Sequence, residues 1–503
     1  MADAATGRRA AWAWVLTAGL LALYLVSCNA TMFGQYVDDM NWLLAAEAML
    51  KGSLLRAWHH PPQLELSLNW GVPILLMPFL ALFGRCVLLL KVFMAGLFFS
   101  GLYLFYLATK DRFPGRQRYA YASILFLADF MLTFAGNIMG EPGYVFLLGL
   151  VVYLLFERGW FETDDARRWA GIGAMSGFIV LMRSIGFVAP IALFLELALT
   201  RRWRAARWFA LGAAASVLPF TLYLVVHLGQ VTFYASYWAL RMQGGLAMAL
   251  AGVLQNAHLY LKGLSCLTAV YLPTLAAPVG ALEWAAMSAV LAASAAGMAL
   301  GRRSALHRVL AYYAVGHFLV CAGYVYQAPR YVVPLYPVFV FLCFEGLRRF
   351  LPERFHARAL AALAAFALLT NLPGLAGTVR TSLAQPTIVP HESYDWLRGR
   401  ASPEDRVVSM DMMRIHYFTG LKGLLIIPSA DLSGFVEGAR AMNASWFVVR
   451  EAGFIPPAKG VTDPTRTFYD RLNGYLGRRE FFERVYRNEA EQVSIFVLRE
   501  ARR

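Results

Sequence analysis

Apolar runs of about 20 residues recur along the chain, each long enough to cross a bilayer as a helix, and short arginine-rich stretches separate them. The first run covers residues 11–30, behind Arg8 and Arg9. Runs at 86–108, 119–136 and 144–156 follow. Residues 169–200 lie between two basic loops, which predicts a short helix pair that goes out and returns. Further spans are predicted at 208–228 and 284–300, in a segment reaching the outside near Tyr326, and at 332–347 and 357–375. Between 229 and 278 lies a longer outer section of mixed character. Residues 64–83 are apolar too, but Glu65, Asn69, Gly71, Pro73 and Pro78 interrupt them. A crossing there would put Lys110, Arg112, Arg116 and Arg118 outside, against the preference of basic loops for the inner face. That segment is read as interfacial or re-entrant. The pattern gives about eleven spans, with the N-terminus inside and the C-terminus outside. Every strong basic cluster then shares one side, including Arg158, Arg167 and Arg168, Arg201 to Arg207, and Arg348 and Arg349.

Residues 31–85 form the first outer loop, and its stretch from Gln35 to Pro62 holds the candidate chemistry. Asp38 and Asp39 stand side by side just past the membrane boundary, where an acid is expensive and needs a reason. Trp42, Leu43, Ala45, Ala46, Met49 and Leu50 then recur at helical spacing, with Asn41, Glu47 and Lys51 opposite. This predicts an amphipathic helix lying on the membrane surface and stopped by Gly52. His59-His60-Pro61-Pro62 fixes a turn, because neither proline can donate a backbone hydrogen bond. From Thr378 the composition becomes that of a soluble domain. Helices at 394–397 and 433–442, with strands at 406–410, 424–427, 446–449 and 492–498, predict a small α/β domain over 378–503, outside the membrane.

Composition sharpens the class. The 503 residues are 59% hydrophobic and only 15% charged, which excludes a soluble protein of this length and leaves a polytopic α-helical membrane protein. A net charge of +15 would suggest nucleic acid in a soluble chain, but here the basic residues sit in short clusters between spans and report topology. Nucleic acid is excluded as a partner on that ground. Cys28, Cys86, Cys266, Cys321 and Cys343 lie in or beside apolar runs without a CxxC pair, the pattern of buried structural thiols rather than of zinc or redox chemistry. With no retention signal and no Lys-rich tail, the expected home is a bacterial inner membrane.

The acidic pair, the aromatic Trp42 after it, the AAEAML helix and His-Pro-Pro resemble the pattern of the lipid-donor glycosyltransferases of the GT-C fold. The protein O-mannosyltransferases and the lipid A aminoarabinose transferases belong to that superfamily. The likeness continues with Gly84-Arg85 before the second span, Glu141 in the second outer turn, and Pro329-Arg330-Tyr331 followed by Pro334 and Pro337. It covers roughly residues 10 to 380, a transmembrane catalytic domain over 1–377. The sequence departs from the usual pattern with Asp39 where Glu is common and Trp42 where Tyr is common. The resemblance implies transfer of a sugar from a polyprenyl-phosphate donor to a glycan, lipid or protein acceptor on the outer face, with Asp38 as catalytic base.

Each residue carries a structural alternative. Inverting transfer needs a carboxylate to take the proton of the attacking hydroxyl or amine, and cationic donors for the leaving phosphate. Asp38 suits the first role, or it is a helix N-cap; Asp39 assists, or is an exposed pre-helix acid. A divalent metal held by the pair is a further option, although the resemblance requires no cofactor. Glu141 joins the site, or it answers the dipole of a helix begun by Pro142. Arg183 and Arg330 hold the donor phosphate, or anchor their helices at the interface, with Tyr331 beside Arg330. His59 and His60 orient sugar or acceptor, or serve the turn alone. The rival reading is a transporter or flippase of a lipid-linked saccharide, whose acids would couple protons. The large first loop and the outer domain favour the enzyme, and no repeat of two similar halves is visible.

Overall fold

A backbone surrounded by lipid can satisfy its N–H and C=O groups only within its own segment, and most of this chain is accordingly helical. The computed structural model describes residues 2–56, 58–60, 62–64, 69–227, 245–265, 281–301, 304–324, 328–424, 431–450 and 464–499. Tyr326, Cys266, most of the 424–427 strand and much of the 229–278 section lie outside the described residues.

Helix α1 spans Ala2–Val26, α2 spans Val37–Leu50, and two short antiparallel strands follow, β1 (Leu55–Arg56) and β2 (Gln63–Leu64). Then come α3 (Gly71–Phe83), α4 (Val87–Thr109), α5 (Gln117–Phe126), α6 (Asp129–Ala135) and α7 (Gly140–Val152). The expected short helix pair is α8 (Ala166–Met182) and α9 (Val188–Leu199), and α10 covers Trp203–Val226. Helices α11 (Gly245–Ser265), α12 (Ala281–Leu300) and α13 (Ala305–Gly323) precede a 3-10 turn, Pro329–Val332. Helix α14 spans Tyr336–Phe350 and α15 spans Glu353–Ala384.

Among the described residues four helices are long and apolar enough to cross a membrane, Val87–Arg112, Gly140–Glu157, Trp203–Val226 and Ala305–Gly323, and α15, bent by 41°, is a fifth if its two halves count as one span. Among the described residues, length and composition alone do not bear out the expected count of about eleven spans. Several of the remaining apolar helices are short: the 13 residues of α3 rise only about 20 Å, against about 30 Å of hydrocarbon.

Two expectations change on inspection. The span over 119–136 is two helices that break at Leu127 and Ala128. The break frees backbone groups, and other helices satisfy them: the Tyr24 hydroxyl donates to the Phe126 carbonyl at 3.1 Å and the Tyr336 hydroxyl to that of Ile124 at 3.0 Å. The Asp129 N–H donates to Asn371 Oδ1 at 3.1 Å, and the Thr378 hydroxyl donates to the Asp129 carboxylate. One charged residue marks the break in the sequence, Asp129, and reading 119–136 as a single span passed over it. Second, α2 does not lie on the membrane surface. Met40, Trp42, Leu43, Leu44, Ala45 and Ala46 are all buried, and Asn41 on the supposed polar face is buried with them. Of the thiols, Cys28, Cys321 and Cys343 are buried, while Cys86 is exposed.

What covers α2 on one side is the C-terminal domain. After α15 the chain forms α16 (Glu392–Arg398), β3 (Arg406–Val408), α17 (Met412–Thr419), β4 (Lys422–Leu424), α18 (Leu432–Ala441) and β5 (Ala444–Arg450). Helix α19 (Pro464–Leu476), β6 (Phe482–Asn488) and β7 (Val493–Leu498) complete it. The sheet runs β4-β3-β5-β7-β6, with β3 parallel to β4 and β5, and β7 antiparallel to β5 and β6. Phe435, Phe447 and Leu472 fill one face, and Tyr394, Leu397, Ile415 and Val448 the other. Strand β6 escapes sequence reading because Glu483, Arg484 and Val485 are all exposed, which hides any alternation.

Helices α4 and α7 cross at glycines. A Cβ on Gly149 would overlap the carbonyl of Gly101, so only glycine allows the approach. Gly149→Val is expected to destabilise the protein by about 1–3 kcal/mol through forced separation of the two helices. Thermal melting in detergent reads this directly; an unchanged midpoint would show that the contact is loose.

Candidate active site

Five of the predicted residues converge at the end of the helix bundle that faces the first loop. Asp38 sits in the first turn of α2, whose N-cap position is Tyr36, so its carboxylate is free of capping duty. Asp38 Oδ2 accepts a hydrogen bond from Arg330 Nη2 at 2.7 Å. Glu141 sits in the first turn of α7 and its Oε1 lies 3.0 Å from Arg183 Nη1. Local sequence brings these groups together. Gly140 lets α7 begin against the end of α8, since a Cβ there would come within 2.5 Å of the Met182 carbonyl oxygen. Arg183, the residue that ends α8, is extended (φ −152°, ψ 139°), which turns its side chain out of the helix path. Pro329 starts the 3-10 turn that presents Arg330 and Tyr331 in succession. The imidazole Nε2 of His317 lies 2.8 Å from the Tyr331 carbonyl oxygen and pins that turn to α13.

One aromatic ring joins the two ion pairs. The Arg183 guanidinium lies 5.4 Å from the centre of the Tyr331 ring and that of Arg330 lies 5.7 Å from it, both in cation–π range. Arg330 also reaches the ring of Tyr36, at 5.9 Å, and donates to Met139 Sδ at 3.4 Å. Acids and arginines therefore alternate, with no net charge in the cluster. Glu141 is 1% exposed, whereas the Asp38 side chain keeps 48% of its surface. The open carboxylate is the one on the first loop.

The neighbouring acids have opposite surroundings. Burial pushes the Asp38 carboxyl up, but the Arg330 and Arg183 guanidiniums outweigh it and hold the group below its ordinary value. Asp39 is 4% exposed and turns the other way, accepting from the Gly34 and Met40 N–H groups at 2.7 Å each. Its burial pushes it up to about 7, against the pull of those two bonds, Lys91 and Arg414. The pair thus divides, and its two carboxylates do not converge on a shared cation. His59 and His60 are held through their backbone: the His60 N–H donates to the Gly423 carbonyl at 2.9 Å, and His59 bridges to the same strand residue. The turn fastens the first loop to the C-terminal domain.

Sequence reading passed over Tyr36, Met139, His317 and Lys91. His317 and Lys91 had a signal, since each is an ionisable residue inside an apolar helix, where such groups mark function or a specific partner. The Lys91 ammonium donates to the Thr31 carbonyl at 2.5 Å, beneath the first loop. Tyr36 and Met139 had none.

This helical body with its first-loop helices and C-terminal mixed-sheet domain has the GT-C fold of polytopic glycosyltransferases. The ArnT of Cupriavidus metallidurans, solved with undecaprenyl phosphate, is 13% identical and superposes with a TM-score of 0.61 over 97% of this chain and 98% of its own. The Archaeoglobus fulgidus oligosaccharyltransferase, solved with zinc and sulfate, is 16% identical, with a TM-score of 0.51 over 85% of this chain and 67% of its own. The mycobacterial arabinofuranosyltransferase AftD is 14% identical, with a TM-score of 0.52 over 97% of this chain and 40% of its own. No family model and no curated protein sequence matches the chain.

The raised Asp39 value has a signed consequence. An unfolded Asp near its ordinary value of 3.8 ionises first, so the folded state loses stability as pH rises from about 4 to about 7 and is level above that. Asp39→Asn keeps an acceptor for Gly34 and removes this slope. Stability of the variant relative to wild type is expected to rise across that window in melting experiments; a constant difference would mean that Asp39 is ionised throughout.

Proposed function

We propose that this protein transfers a sugar from a polyprenyl-phosphate donor to an acceptor at the extracytoplasmic face of a bacterial inner membrane, with Asp38 as general base. The observation that carries the reading is the half-exposed Asp38 carboxylate hydrogen-bonded to Arg330, with Arg183 and Glu141 beside it. The 1–377 segment is the catalytic domain, residues 31–85 are its outer loop, and the domain over 378–503 stands outside the membrane.

The donor brings a phosphate, and Arg330 offers a planar fork whose Nε has no hydrogen-bond partner among the described residues. Arg183, held by Glu141, supplies a second guanidinium across the Tyr331 ring. As the phosphate takes Arg330, Asp38 loses the bond that depresses its basicity, so the base gains proton affinity when donor is in place. The acceptor hydroxyl or amine then attacks the anomeric carbon and its proton passes to Asp38. The bond between that carbon and the phosphate oxygen breaks, and polyprenyl phosphate leaves with its charge met by the two arginines. Displacement in a single step inverts the anomeric centre. Nothing in this sequence of events uses a metal.

Removing a general base lowers rate by about 10²–10⁴-fold. Asp38→Asn is therefore expected to abolish transfer of radiolabelled sugar from a polyprenyl-phosphate pool in membranes, while labelled donor still binds. Transfer at the wild-type rate would remove Asp38 from the chemistry. Labelled lipid carried across the bilayer with its sugar uncleaved, by both proteins, would establish the transporter instead.

A further inference from the structure

Arg414 belongs to α17 of the C-terminal domain, far from the helix bundle in sequence, yet its side chain is only 6% exposed and ends in the first loop. Its Nε donates to the Gly34 carbonyl at 2.7 Å and its Nη2 donates to the same oxygen, with a further bond to the Gln35 carbonyl at 3.2 Å. The remaining arm, Nη1, is held at 2.7 Å by Asp411 Oδ2, which also accepts from the Tyr394 hydroxyl at 2.9 Å. The guanidinium is thus fixed from behind by its own domain and spends its other donors on two consecutive peptide carbonyls.

Those peptides lie immediately before the turn of α2 that presents Asp38. Gly34 has φ +85°, a left-handed conformation that suits glycine, and a Cβ there would press on Met40 and come within 2.9 Å of Val389 Cγ2. Its N–H is held by Asp39 and its C=O by Arg414, so the one residue with backbone freedom at the entrance to α2 is clamped on both sides. The far end of α2 is fastened to the same domain. Arg85 makes two bonds to the Glu47 carboxylate, at 2.5 and 2.7 Å, and donates to the Tyr417 carbonyl at 3.3 Å. Between the two ends Leu44 packs with Trp58 and Met412.

We propose that Arg414 is a positioning residue for Asp38: by clamping the Gly34 and Gln35 carbonyls, the C-terminal domain sets the start of α2 and so the approach of the base to Arg330 and the substrate. The inference rests on the transferase reading given above and adds a task for the C-terminal domain. A helix start displaced by about 1 Å is enough to lower turnover about 10²-fold without loosening donor binding. Lysine at 414 keeps the charge and one bond to Gly34 but loses the fork to both carbonyls.

The test uses the full chain in nanodiscs as wild type, Arg414→Ala and Arg414→Lys, with two independent readouts. In hydrogen exchange, the amides of residues 34–40 are expected to lose protection in Arg414→Ala and regain part of it in Arg414→Lys, while β7 is unchanged. In transfer from polyprenyl-phosphate sugar, kcat is expected to fall about 30- to 100-fold in Arg414→Ala with KM for the donor within about threefold, and to recover partly in Arg414→Lys. Unchanged exchange at 34–40, or an unchanged kcat, overturns the proposal. So does loss of protection throughout the domain, which would make Arg414 a residue of general stability. If wild type transfers no sugar, the transferase reading fails alone, because the exchange experiment still reports whether the clamp exists.

Discussion

Two carboxylates beside hydrocarbon have to be met by charge, and the surroundings of this site follow from that requirement. A buried isolated ion costs several kcal/mol, so Glu141, 1% exposed, needs Arg183 beside it, and Arg330 reaches the half-exposed Asp38. The reach dictates local form: α7 starts at a glycine, α8 ends in an extended arginine, and a proline-led 3-10 turn delivers Arg330 beside Tyr331. The two arginines, from separate segments, meet over the one Tyr331 ring. Each guanidinium is met by a carboxylate on one arm, and Arg330 Nε has no hydrogen-bond partner among the described residues.

How much of this could be read from the residues differs by element. The long apolar helices were plain from hydropathy, because α4, α7, α10 and α13 carry uninterrupted runs of sufficient length. The C-terminal domain was legible as strands alternating with helices, but α17, α19 and β6 were missed, the last because its exposed charges mask its period. The break between α5 and α6 had one local sign, Asp129 inside the run, while the groups that compensate it come from α1, α14 and α15, which no local window contains. Helix α2 was predicted in kind but misplaced in setting: an amphipathic pattern says that one face is covered, not whether lipid or protein covers it.

The site itself was legible as a set of residues and not as a geometry. Asp38, Glu141, Arg183, Arg330 and Tyr331 came from resemblance and from the rarity of charge near membrane, and they do meet. Nothing in two adjacent aspartates says which one faces the arginines. That depends on Gly34 and Lys91, which draw Asp39 inward. His59 and His60 also serve a seam that no local window shows, because the strand residue that pairs with them through backbone, Gly423, lies about 360 residues downstream. At 13–16% identity the solved neighbours speak for the fold, so the weight of any functional statement falls on these contacts.

The broken helix has a consequence for how the chain is made. Tyr336, which satisfies the Ile124 carbonyl, is 212 residues later in the chain, and Asn371 is 242 residues beyond the Asp129 N–H that it accepts. Synthesis at about 5–20 residues per second leaves those groups waiting for tens of seconds after α5 and α6 have left the ribosome. During that interval the α5–α6 unit has to shelter in the insertion machinery, stay near the aqueous boundary or hold a continuous helix that later breaks. Its final shape is a product of assembly, acquired when the last helices dock, and biogenesis of this protein is committed late.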